Sequence, residues 1–310
     1  MKGSDSPMSR ATQVAKLADR EKTAGRLLKS AADKFYDPDI DIDWAADIPS
    51  GLHFHPEHRI SLYGTEIWDR MTPEQRIELG KHEIASIAST GIFFEVLLMQ
   101  MLLKQVYQHD PTTDHVHYLL AEIADECRHS TMFGKACKRF GVPAYGPRPW
   151  VRQLAKVLPA IGRGPSAYAA ILVAEEVLDR MQRENMVDPG LQPLIRMVNR
   201  IHVLEESRHV TFARQEVVHG MAKAGWVARQ YHRALTAVVS YFVAYSLINP
   251  RVYAAVGLDP KAAWKAAKAN PHFQETMRYW GERIMKFLGE AGLVGGPGTV
   301  LWRRSMLLAK

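Results

Sequence analysis

Cysteine is almost missing from this chain: there are two in 310 residues, Cys127 and Cys137, both within one helical segment. That excludes a disulfide framework and the paired cysteines of a structural zinc or iron–sulfur site, and it fits a reducing, cytoplasmic setting. Long apolar runs are missing too. The longest, Ala234 to Ile248, falls short of a bilayer span and contains Thr236, Ser240, Tyr241, Tyr245 and Ser246, so it reads as a buried helix. Met1 to Arg10 is polar, without the apolar stretch of a secretory leader. No Gly-x-Gly-x-x-Gly occurs, so the chain lacks the usual nicotinamide or flavin fingerprint. No segment alternates apolar and polar residues long enough to mark a sheet. The net charge is +7, yet the basic residues form no stripe interleaved with aromatics, which argues against nucleic acid as a partner. Such a charge would suit an acidic protein such as a ferredoxin.

What remains is ordinary soluble composition, 47% hydrophobic and 24% charged, in a pattern of helices. The expectation is one all-α domain over 1–310, with residues 1–8 disordered and a core bundle over about 72–224. Thr72-Pro73-Glu74-Gln75 is a helix start, with an N-cap Thr, Pro in the first turn and Gln in the capping-box position. That helix should pass through Glu95 to about Gln108. Asp110-Pro111 turns the chain, and a return helix covers about Thr113 to Phe140. A Pro-rich linker, Tyr145 to Pro149, and a modest helix from Trp150 to Ile161 lead to a second pair. Its first helix carries Glu175 and ends near Met186; its return covers about Leu191 to Ala224, after Asp188-Pro189-Gly190. An amphipathic helix from Arg10 to Phe35, an ordered loop from Tyr36 to His58 and a short helix from Ile60 to Met71 precede the bundle. An apolar helix from Trp226 to Ile248 follows, and Pro260 and Pro271 open two more.

The chemistry sits in a repeated motif. In the stretch Ile201 to His209, His202, Glu206 and His209 fall at i, i+4 and i+7, along one helical face. Asp125-Glu126-Cys127-Arg128-His129 repeats Glu205-Glu206-Ser207-Arg208-His209 at an offset of 80, and Glu95 and Glu175 share that offset. Each of these two glutamates lies 31 residues before the Glu of a Glu-x-x-His, with the helix breaker about midway. Outbound and return arms of equal length bring both ends to one height, since every residue rises about 1.5 Å. Two such hairpins face to face gather four carboxylates and two or three imidazoles, the donor set of a dinuclear metal site. A carboxylate inside a buried helix costs several kcal/mol unless paired or metal-bound, on the order of the charge-burial penalty.

Candidate metal ligands are therefore Glu95, Glu126, His129, Glu175, His202, Glu206 and His209, with Glu126 and Glu206 as the bridging pair. Glu176 rivals Glu175, and the equal spacing selects Glu175. Asp125 and Glu205 are either acceptors for a ligand imidazole N–H, crosswise between hairpins, or exposed acids. Arg128 and Arg208 either neutralise this acidic cluster or point to solvent. Glu122 stands 80 positions before His202 and reads as a supporting or surface acid. His53, His55 and His58 lie in a loop without accompanying carboxylates and read as packing or hydrogen-bonding residues. Cys127 reads as a small buried residue pointing elsewhere. Oxygen-rich ligation with few imidazoles suits two irons, or manganese, over zinc.

Two Glu-x-x-His motifs with two further glutamates resemble the ferritin-like di-iron carboxylate proteins, a four-helix bundle to which this chain adds outer helices. With Asp-Glu-x-Arg-His over 125–129 and His-x-x-x-Glu-x-Arg-His over 202–209, the chain resembles the p-aminobenzoate N-oxygenase (AurF-type) family. Tyr36-Asp37-Pro38 and Asp43-Trp44 are also family-like. The resemblance implies that His202 is a seventh ligand, and that a reduced di-iron centre uses O2 to oxygenate an amine, through hydroxylamine toward nitro. It implies an external ferredoxin or reductase as electron donor, and a homodimer is compatible with it. Three other readings keep the metal cluster: a C-hydroxylase or desaturase of lipid- or polyketide-like substrates, a ferritin-like iron-binding protein, and a radical-generating subunit using Tyr118 or Tyr168.

Overall fold

Thr72 opens the longest helix through a reciprocal cap. Its hydroxyl accepts from the Gln75 N–H at 3.3 Å, while Gln75 Oε1 accepts from the Thr72 N–H at 3.0 Å. The computed structural model describes residues 20–309, and among them lie eight helices of ten residues or more. We label these α1 (Arg20–Asp33), α2 (Pro73–Gln108), α3 (Asp114–Arg139), α4 (Pro165–Asn185), α5 (Pro193–Lys223), α6 (Trp226–Ser246), α7 (Pro260–Ala269) and α8 (Pro271–Glu290). Proline stands in the first turn of α2, α4, α5, α7 and α8, where its missing N–H would have had no partner anyway. No strand occurs among the described residues, only a parallel bridge between His53 and Leu191.

The core is two antiparallel hairpins: α2 packs along α3, and α4 along α5. One cleft is lined by residues 84–91 of α2, 133–137 of α3 with Phe140 just past its end, 178–182 of α4 and 195–199 of α5. The α2–α3 turn therefore lies at the far end from that cleft, and the α4–α5 turn at the near end. The hairpins run opposite ways, so the chain from Phe140 to Gly164 must travel the length of the bundle, the long crossover of ferritin-like folds. Lys104, near the far end of α2, anchors it by donating to the Pro159 and Ala160 carbonyls at 3.2 and 3.1 Å. Outside the hairpins, α1 lies against α3 and α5, and α6 and α8 lie against α4. The fold is all-α.

Three expectations shift. The helix foreseen over Ile60–Met71 is one turn, Glu66–Asp69, preceded by a 3-10 turn at Glu57–Arg59. Gly64 at φ +74° stops any longer helix, and Thr65 recaps the chain after it. The helix foreseen over Trp150–Ile161 is split into Pro149–Ala155 and Leu158–Ile161, because Pro159 has no N–H to carry the ladder through. By length and composition the one described helix able to cross a bilayer is α2, not the run at 234–248. However, α2 buries Glu83 and Glu95 and packs within the hairpin pair, which makes it a core helix. The expected disorder over 1–8 and the start of the Arg10–Phe35 helix lie outside the described residues.

Candidate metal centre

Regular helices deliver the motif side chains to one level. Donor atoms of Glu126, His129, Glu206 and His209 lie within 4.8 Å of one another, as do those of Glu95, His129 and His202, and those of Glu175, His202 and Glu206. All seven residues are buried, none more than 5% exposed. His209 Nδ1 is 2.9 Å from Glu206 Oε1 and 3.1 Å from Glu126 Oε1. His129 Nδ1 is 3.2 Å from both Glu126 Oε2 and Glu206 Oε1. His202 Nε2 sits 3.8 to 3.9 Å from Glu206, Glu175 and Glu95 and makes no hydrogen bond. Glu206 Oε2 is likewise buried without a partner. Buried orphans of this kind are costly unless something fills the space they face. Oxygen donors with a few imidazoles fit two iron or manganese ions there.

The remaining nitrogens of the three imidazoles are held from behind. His129 Nε2, on α3, is 2.9 Å from Glu205 Oε2 on α5, and His209 Nε2, on α5, is 3.1 Å from Asp125 Oδ2 on α3. The contacts are crosswise between hairpins, and they turn both Nδ1 atoms toward the glutamate cluster. His202 Nδ1 is 2.8 Å from Gln182 Oε1, which leaves Nε2 as the inward atom. Arg208, buried, donates to Asp125 at 3.2 Å and lies 3.7 Å from Glu205, and Arg128 also donates to Asp125. The guanidinium of Arg128 lies over the Phe35 ring. Glu176 turns away to pair with Arg214, while Glu175 faces His202.

Protons balance the cluster when no cation does. Burial, then the neighbouring Glu126 charge, raises Glu95 to about 8, and burial with Glu206 and Glu126 raises Glu175 well above the carboxylate range. Burial opposes charge on His129 and His209, but their hydrogen bonds and charges from the surrounding carboxylates outweigh it and raise both well above 6.5. Burial works the opposite way on Glu206, where His209 and His129 outweigh it and pull the carboxyl well below its usual range. His202 drops to about 4 through burial and the nearby His129. Two imidazolium ions thus stand against two carboxylates, in the space where two cations fit.

Residues outside the seven donors sort clearly. Glu122 is buried, both its oxygens lack partners, and burial raises it to about 8, so it is not a surface acid. Tyr118 and Tyr168 are buried on the far side from the cleft, packed about Phe212 at ring distances of 4.7 and 6.1 Å. His55 is buried beside Trp280 and lowered to about 3 by burial, His58 pairs with Glu184, and His53 joins the bridge to Leu191. The expectation for Cys127 needs correction. It does point away from the cluster, but it is exposed, with its thiol 3.5 Å from Met99 Sδ. One residue past Glu126 is about 100° around the helix at 3.6 residues per turn, enough to face outward.

Two supporting side chains escaped the motif. Gln182 follows Glu175 by seven positions, so it shares its helix face. Ser130, next to His129, donates its hydroxyl to Glu95. Both contacts join different helices, which sequence spacing alone does not reveal.

The family described as P-aminobenzoate N-oxygenase AurF matches residues 17–292. The chain belongs to that family. Membership, with the buried Glu/His cluster, makes it an oxidoreductase with a di-iron or related dimetal centre in a ferritin-like helical bundle. Among relatives, an uncharacterised protein of Mycobacterium tuberculosis is 26% identical over 265 residues, covering 81% of this chain and 74% of its own. An uncharacterised protein of Mycobacterium bovis gives the same identity and coverage. Two solved variants of an R2-like ligand-binding oxidase with aerobically reconstituted Mn/Fe cofactor are 13% identical. They cover 93% of this chain and 90% and 89% of their own, at TM-scores of 0.41 and 0.43.

Proposed function

We propose that this AurF-family chain is an O2-dependent N-oxygenase that carries an arylamine through the hydroxylamine to the nitro compound. The observation that carries the reading is the convergence of seven buried donors from both hairpins, with His202 Nε2 and Glu206 Oε2 left unpartnered. Glu95, Glu126, Glu175 and Glu206 would hold two irons through their carboxylates, with His129 and His209 offering Nδ1 and His202 offering Nε2. The bound irons would supply activation of O2, with the reducing equivalents delivered to them by an external donor.

The chain's own residues do the rest. Gln182 keeps the proton of His202 on Nδ1, and Asp125 and Glu205 hold those of His209 and His129 on Nε2. Arg208 and Arg128 offset the acids behind the imidazoles. The apolar cleft that begins one turn from the cluster, at Gly91, Phe133, Leu178 and Asn199, would offer an approach for the ring of the substrate. Electrons come from an external ferredoxin or reductase in the cytoplasm, since the chain carries no Gly-x-Gly-x-x-Gly.

Iron-loaded protein given a chemical reductant and O2 should convert members of an arylamine panel to hydroxylamine and nitro products, identified by mass spectrometry. Oxygen placed only on carbon, in the arylamines or in a parallel fatty-acid panel, would overturn the N-oxygenase reading. Retention of two metals per chain in both His129→Ala and His209→Ala would overturn the ligand assignment.

A further inference from the structure

We infer that the cleft over Glu95, Glu175 and His202 selects an uncharged, flat, apolar amine and rejects amines that carry a carboxylate. This rests on the reading above that the substrate is an amine. The cleft starts one turn from the cluster on every helix. Gly91 precedes Glu95 by four positions, Phe133 follows His129 by four, Leu178 follows Glu175 by three, and Asn199 precedes His202 by three. All four helices thus leave the cluster in one direction, and side chains from all four wall the cleft between them.

The walls are apolar. A Cβ added at Gly91 would touch the Phe133 ring at 3.8 Å, so glycine there keeps a slot open beside an aromatic face. That ring lies 4.9 Å from the His202 ring, and the aromatic wall therefore continues to the metal-facing nitrogen. The polar members of the lining are Gln182, Asn199 and the Cys137 thiol, and no Lys, Arg or His lines the cleft among the described residues. Gln182 Oε1 is engaged by His202, and Asn199 Nδ2 donates to the Ile195 carbonyl at 2.7 Å. Neither amide carries a charge to set against an anion.

With the amine turned toward the cluster, a para carboxylate would lie among the apolar walls, shed of its water and with no cationic side chain to meet it. An alkylamine arrives as an ammonium and would lose its hydration in the same apolar walls. An arylamine is neutral at pH 7, and its flat ring suits apolar walls that include the Phe133 face. Shape and charge together favour it.

The test compares two rings that differ at the para position, 4-methylaniline and 4-aminobenzoate. Binding to the metal-loaded protein is measured by calorimetry under nitrogen, with no reductant, so that turnover plays no part. We expect 4-methylaniline to bind about tenfold tighter or more. Gly91→Ala, which adds one methyl against Phe133, should weaken it about threefold, and Ala88→Leu, one turn further along the cleft, should weaken it more. Aminobenzoate binding as tightly, no binding of either ring, or 4-methylaniline binding unchanged in both variants would each overturn the inference. A bound 4-methylaniline later oxygenated at carbon would instead count against N-oxygenation and leave the charge selection standing.

Discussion

His202 offers one nitrogen to the bundle interior because Gln182 holds the other at 2.8 Å. Replacing the amide by a thioether of similar length, Gln182→Met, removes the acceptor and frees the ring to rotate. Metal affinity should fall about 10- to 100-fold, as for other residues that orient a ligand imidazole. Competition with a chelator measures it, and an unchanged affinity in a folded variant would refute the role. Protonation gives a second residue-scale prediction. Glu95, ordinarily 4.5, stands at about 8 in the metal-free protein, and His129 and His209 are also raised, so these groups hold protons at pH 7 that cations must displace. Metal uptake should therefore release protons at pH 7 and tighten as pH rises through about 8, readable by calorimetry in buffers of different ionisation enthalpy. For stability the sign follows from the same shift. The contribution of Glu95 to the metal-free fold is complete below 4.5 and is lost as pH rises through about 8. Much of this scale was legible in sequence, since Glu126 with His129 and Glu206 with His209 follow from i, i+3 geometry, each pair within its own helix. Gln182 and Ser130 were not, because a contact across helices depends on rotation and rotamer, which spacing leaves open.

At the scale of elements, α5 approaches the start of α4 so closely that Gly220 has no room for a side chain. A Cβ there would come within 2.5 Å of Pro165 Cγ and 2.7 Å of Cδ, and the proline ring cannot swing aside. Gly220→Ala should destabilise by about 1–3 kcal/mol, net of the helix-propensity gain, through overpacking at that contact. Urea unfolding would check it, and a stabilised variant would mean that α4 yields. The helix ends at Thr72, Pro260 and Pro271 were readable because caps and prolines act locally. The turns around Gly64 and Pro159 were misread as continuous helix because apolar periodicity persists through both. A single positive φ or a single missing N–H decides such places, and averaging over a window conceals it.

For the whole molecule, the decisive feature is that both hairpins furnish the cluster, Glu95, Glu126 and His129 from one and Glu175, His202, Glu206 and His209 from the other. Removing metal with a chelator should lower thermal stability, by about 4 kcal/mol where free metal had stood at roughly a thousand times its dissociation constant. Calorimetric scans of loaded and stripped protein would read the difference, and coincident transitions would show that cations contribute nothing to holding the bundle. The crossover from Phe140 to Gly164 is the covalent route between the hairpins, and Asp125 with His209 and Glu205 with His129 are among the polar contacts that tie α3 to α5 at the cluster. Cut that crossover with a protease, and the two fragments become a lock and its hasp: the ions should clasp them more firmly than the shared apolar core does alone.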